Sequence, residues 1–128
     1  MTSRVTRLKK LLAVQEQLKA LHETRHAGFV AAAAAARQDA DDLVGRFNAD
    51  DSLSGLFPAV YHRHIDSARS REAKNLALAR EEAARVATAT ARTNRVDEAY
   101  RDERRQDDRE KGDRERLDIL EQRRPTGK

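Results

Sequence analysis

Cysteine and tryptophan are absent from this 128-residue chain, and its only aromatics are three phenylalanines and two tyrosines. Without cysteine there are no disulfides and no thiolate metal sites, which fits a reducing cytoplasm. Few large side chains also mean little material for a globular core. Of the apolar residues 22 are alanines, each able to bury only a methyl group, at roughly 25 cal/mol per Å² of apolar area. Long apolar runs are missing as well. Nothing approaches the ~20 apolar residues of a membrane span, and charges break up the basic N-terminus where a signal peptide needs an apolar stretch. A cytoplasmic chain with no direct membrane insertion is expected.

Helix breakers are just as scarce. The prolines are Pro58 and Pro125, the only glycine between Ala59 and Arg124 is Gly112, and before Asn48 there are only Gly28 and Gly45. Ala, Leu, Arg, Glu and Gln, all strong helix formers, fill most of what remains. The expected fold is all-α: one domain over residues 1–128, with a helix over 2–48, a turn over 49–57 and a helix over 58–123. The two helices should form an antiparallel coiled-coil hairpin whose second helix overhangs the first.

Thr2 or Ser3 suits the first cap, and Asp51, Ser52 or Ser54 the second, with Pro58 tolerated in a first turn. Leu8, Leu11, Leu18 and Leu21 suggest one apolar face. Phe29, Ala33, Ala36, Ala40, Leu43 and Phe47 suggest a heptad seam in another register, so a slip is expected near Gly28. On the second helix Tyr61, Ile65 and Ala68 lead to Leu76, Ala79, Ala83, Val86, Thr90, Thr93, Asp97 and Tyr100. With the turn centred near Ser52, Val5 falls opposite roughly Ala99, and His22 opposite roughly Glu82. The remaining segment, 101–124, carries nine basic and nine acidic residues, with pairs such as Asp97–Arg101 and Glu110–Arg114 at helical spacing. Its terminal Leu117, Ile119 and Leu120 read as a docking point or as fraying filler, the former being favoured.

The formal charge is +4, but basic and acidic residues interleave rather than form the one-sign stripe of a nucleic-acid binder. No nucleic-acid partner is expected. One catalytic motif needs weighing: His22-Glu23-Thr24-Arg25-His26 matches the H-E-x-x-H pattern of zinc proteases, in which two His one turn apart hold zinc and Glu activates its water. Glu82 opposite His22 could lend a third carboxylate, but a helical hairpin offers no cleft, so no metal, cofactor or catalytic residue is assigned. Replacing His22 and His26 by Ala is expected to leave stability unchanged. His62 and His64, two residues apart, cannot chelate together on a helix. At the turn, Phe47, Leu53, Leu56, Phe57 and Tyr61 gather most of the large apolar side chains, as a clamp on the turn or as a patch for a partner.

Arg4, Arg7, Leu8, Lys9, Lys10 and Leu11, the long hairpin, and the charged second helix ending in Arg116-Leu117-Asp118-Ile119-Leu120-Glu121-Gln122-Arg123-Arg124 together resemble the flagellar export FliJ family and the stalk proteins of type III secretion. Phe57-Pro58-Ala59-Val60-Tyr61 is similar to the turn region of some members. The resemblance implies a non-enzymatic bacterial stalk, cytoplasmic and peripheral to the membrane export apparatus, that needs no cofactor. Its partners would be the hexameric export ATPase, the membrane protein of the export gate and export chaperones. Arg4, Arg7, Lys9, Lys10, Leu117, Ile119, Leu120, Arg123 and Arg124 would then meet the ATPase, and Phe47, Leu56, Phe57 and Tyr61 would form the partner-binding tip. A generic self-associating coiled-coil scaffold is the alternative.

Overall fold

A computed structural model describes residues 3–124; Thr2, one of the two expected first caps, and Pro125 lie outside the described residues. Two long α-helices pack against each other as a hairpin, α1 over Arg4–Phe47 and α2 over Pro58–Gln122, with a single 3-10 turn, Leu53–Gly55, between them. The described residues form no strand. Ser3 caps α1, its Oγ accepting the Thr6 amide at 3.1 Å.

The turn distributes its hydroxyls differently from the expectation. Ser52 caps the 3-10 turn, accepting the Ser54 amide at 2.9 Å. Ser54 Oγ donates to the Phe47 carbonyl at 2.8 Å, satisfying one of the orphan acceptors at the end of α1. Neither residue caps α2, and nor does Asp51. That helix opens on Pro58, which has no amide to satisfy, and its first bonds run from Val60 and Tyr61 to the Phe57 carbonyl.

The chain divides into two compact units, Lys19–Thr88 and a second made of the segments before and after it. In the first, the shielded positions on α1 are Lys19, His22, His26, Phe29, Ala33, Ala36, Ala40, Leu43 and Phe47. Those on α2 are Tyr61, Ile65, Ala68, Glu72, Asn75, Ala79, Glu82 and Val86. Alanines dominate where burial is complete, Ala68 having no exposed surface at all. A methyl-lined seam lets helix backbones approach closely, and the contacts per residue are correspondingly few. In the other unit the seam runs through Val5, Leu8, Leu12 and Gln15 with Ala89, Thr93, Val96, Tyr100 and Glu103, and Thr90, Asp97 and Ala99 beside it are partly shielded. Thr93 satisfies its hydroxyl by donating to the Ala89 carbonyl at 2.7 Å.

Each helix thus keeps one 3-4 alternation along its length, and the expected slip near Gly28 does not occur. Residues 15, 19, 22 and 26 occupy seam positions although they are polar. Leu11, Leu18 and Leu21, assigned to the inner face from the sequence, are instead exposed. On α2, Leu76 and Ala83 give way to Asn75 and Glu82.

Gly28 lies within α1, and a Cβ added there meets nothing within 4 Å. Gly28→Ala should therefore raise unfolding stability by about 0.5–1 kcal/mol, by removing the entropy cost of a mid-helix glycine. Ala68→Leu should lower it by about 1–3 kcal/mol, because the fully buried methyl leaves no room for three more carbons. Urea denaturation followed by helical circular dichroism measures both.

Candidate partner-binding surfaces

At the closed end of the hairpin the aromatic residues divide into two roles. Phe47 and Tyr61 are half-buried and meet edge-to-face with ring centroids 5.9 Å apart; the His62 ring lies 5.2 Å from Phe47 on another side. These rings clamp the turn. Leu56 and Phe57 instead point outward, 73% and 55% exposed, and Leu53 and Val60 are exposed beside them. Leu43, Arg46, Leu53, Phe57, Val60, Tyr61 and His64 line an open groove of about 320 Å³. The clamp is formed by Phe47 and Tyr61, and Leu53, Leu56 and Phe57 are left as exposed apolar surface.

The nine residues expected at an ATPase end form two groups rather than one patch. Arg4 reaches across to Glu103 at 3.3 Å, with Arg7, Lys9 and Lys10 exposed on the same helix. Leu117 stands fourteen residues beyond Glu103 (117 − 103), about 21 Å further along α2 at ~1.5 Å per residue. There Leu117, Ile119 and Leu120 are 59%, 47% and 64% exposed, and Leu117 and Leu120 line a shallow cleft with Glu121 and Arg124. Arg123 and Arg124 follow immediately after the last helical residue and are exposed. Ion pairs along the helix hold this solvated segment: Arg101–Asp97 at 3.2 Å, Lys111–Asp107 at 3.2 Å and Arg116–Asp113 at 3.6 Å. The expected Glu110–Arg114 pair is not formed.

The H-E-x-x-H residues do something the sequence did not foretell in full. His22 does lie opposite Glu82, and the contact is direct: Nδ1 sits 2.7 Å from Glu82 Oε2, with the imidazole N–H donating to the carboxylate. Arg85 donates to the other oxygen, Oε1, at 2.8 Å. Glu82 is only 3% exposed, the one buried charged side chain among the described residues. Burial is the largest single influence on its carboxyl and by itself pushes the pKa up. The hydrogen bonds and charges of His22 and Arg85 together outweigh it and hold the group below its usual range. Among the described residues no group of three or more His, Cys, Asp and Glu is assembled that could hold a metal ion. His22 is therefore the partner of a buried carboxylate, and the expectation that His22→Ala is harmless must be corrected: it would strip Glu82 of its closest hydrogen bond. Counting along the sequence placed Glu82 opposite His22, but nothing in the sequence marked that carboxylate as buried.

No helix among the described residues is long and apolar enough to cross a membrane. No family model matches the chain, and neither a protein of known function nor a solved structure is significantly similar to it.

A depressed carboxyl stabilises the fold above its unfolded pKa and loses that contribution as pH falls through the lower, folded value. The melting temperature of the wild type should therefore fall more steeply than that of Glu82→Gln as pH drops below about 4.5, the ordinary glutamate value. Near pH 7 His22→Ala should melt measurably below wild type, while His26→Ala, which touches no carboxylate, should melt closer to it. Thermal scans from pH 2 to 7 on the three variants make both comparisons.

Proposed function

We propose that this chain is a non-enzymatic stalk or adaptor of a flagellar or type III protein export ATPase, linking the ATPase ring to the export gate and to export chaperones. The observation that carries this reading is the C-terminal part of α2: a charged helix whose exposed Leu117, Ile119 and Leu120 have no partner among the described residues. Apolar surface at the end of a solvated helix is what a protein partner would cover. The hairpin architecture agrees with the FliJ-like resemblance, and the outward-facing Leu56 and Phe57 at the turn offer a second contact of the same kind.

The alternative, a self-associating scaffold, gains support from one feature. Leu11, Val14 and Leu18 are 43%, 49% and 40% exposed on α1, more apolar surface than the stalk reading uses.

Tagged chain recovered from its native cell should bring down a hexameric ATPase. Leu117→Ser with Leu120→Ser should reduce the recovered ATPase by at least about tenfold, since burying each leucine contributes roughly 1.5–3 kcal/mol. The helical circular dichroism should stay the same, because neither side chain touches the seam. Recovery of the chain alone would remove the stalk reading.

A further inference from the structure

Two exposed stripes in this molecule match each other. On the outside of α1, Arg4, Arg7, Leu11 and Val14 follow one another at steps of three, four and three residues. Near the end of α2, Glu110, Asp113, Leu117 and Leu120 follow at the same steps. All eight residues are exposed. Laid side by side in parallel, the stripes pair Arg4 with Glu110, Arg7 with Asp113, Leu11 with Leu117 and Val14 with Leu120. Two opposite charges are followed by two apolar contacts, the pattern by which a heptad interface sets both register and direction.

Within one chain this match cannot be made. Arg4 already stands beside Glu103, and α2 runs antiparallel to α1 and beyond it. A second copy satisfies the geometry. We infer that two chains form a closed dimer in which the C-terminal segment of each α2 lies parallel to α1 of the other, over Arg4–Val14.

A twofold axis makes the contact reciprocal, so each copy gives one stripe and receives one and none is left to propagate a filament. Present contacts do not oppose it. Arg116–Asp113 is an exposed surface pair at 3.6 Å, of the sort that exchanges readily in water, and Arg4–Glu103 at 3.3 Å joins an exposed arginine to a half-buried glutamate that Arg4 can leave without burying a lone charge. Leu18 extends the α1 stripe by one more step and would be covered by the residues just past the α2 end. The inference does not rest on the export reading, because it concerns the pure chain alone. Where both hold, an ATPase that binds Leu117 and Leu120 competes with the dimer.

Because the chain has no cysteine, introduced thiols report the geometry without interference. Sedimentation equilibrium of the purified wild type should give a dimer that loosens between 50 and ~500 mM salt, as screening weakens the charged pairs. Leu117→Ser with Leu120→Ser should raise the dissociation constant by at least about tenfold while leaving the helical spectrum intact. Arg7→Glu should also weaken the dimer, and adding Asp113→Arg should restore it to within about twofold of wild type. In an oxidised mixture, a Leu11→Cys chain should crosslink to a Leu117→Cys chain, and neither should crosslink to itself. A monomer at ~100 µM would overturn the proposal. So would a dimer indifferent to the Leu117 and Leu120 substitutions, or one whose Leu11→Cys chains join to each other. None of these results bears on ATPase capture, which is scored separately.

Discussion

A carboxylate shut inside a seam of methyl groups is the constraint on which the pairing of the two helices depends. Across the middle of the hairpin the buried apolar side chains are Ala33, Ala36 and Ala40 on α1 and Ala68 and Ala79 on α2, with Ile65 the one larger apolar member among the described residues. One methyl resembles another, so a seam of this kind holds helices close but scarcely distinguishes one register from the next. Glu82 does distinguish them. Sliding α1 by one heptad would bring Gln15 or Phe29 to the place of His22, leaving the buried carboxylate with a neutral amide or a phenyl ring. A buried charge that loses a partner is strongly destabilising, whereas the intact pair adds little net stability over an apolar contact. In this seam the His22–Glu82–Arg85 group therefore contributes chiefly specificity, the role best established for lone polar residues in coiled coils. At the turn the Phe47–Tyr61 contact acts in the same sense from the other direction, since those rings meet in only one register.

The cost of that arrangement appears on the surface. Four successive inner positions of α1 are given to Gln15, Lys19, His22 and His26, so the large apolar residues nearby are displaced to the next stripe round the helix. Leu11, Val14, Leu18 and Leu21 stay exposed in water. The same separation marks the turn, where two aromatics hold the chain while Leu56 and Phe57 face out. It also marks the end of α2, where intrahelical ion pairs, each contributing only about 0–1 kcal/mol, leave the leucines uncovered. The large apolar side chains of this protein are thus concentrated outside its own seam.

How much of this could be read from residues alone depends on the signal each feature left. The two helices and the position of the break followed from the scarcity of glycine and proline, which acts locally and needs no knowledge of packing. The pairing of His22 with Glu82 followed from counting residues either side of Ser52. The inner face followed over Phe29–Phe47 and along most of α2, but not in the first half of α1. Apolar periodicity points to the seam only when polar residues keep out of it, and here leucines 11, 18 and 21 formed a convincing stripe one position away. The consequence was an apparent slip at Gly28, where α1 runs straight through. The turn hydroxyls were legible as caps but not as caps of which element. Ser54 serves the helix that precedes it, a choice fixed by how the chain reverses and not by its order in the sequence.

The H-E-x-x-H motif illustrates how a catalytic pattern and a heptad seam can share one spacing. Zinc chemistry asks for two imidazoles with free nitrogens converging on one point and a glutamate beside them. Here the Nδ1 of His22 donates to a carboxylate across the seam, and Arg85 donates to the other oxygen of that carboxylate. The i and i+4 spacing that suits a zinc site is also the spacing at which two residues fall on one inner face of a coiled coil. His22 and His26 occupy just such positions, both half-buried in the seam. The motif and the heptad therefore predict the same placement, and what separates them is the partner on the other helix. In this chain that partner is a single buried glutamate, held by one histidine and one arginine, which makes His22 part of what aligns the hairpin.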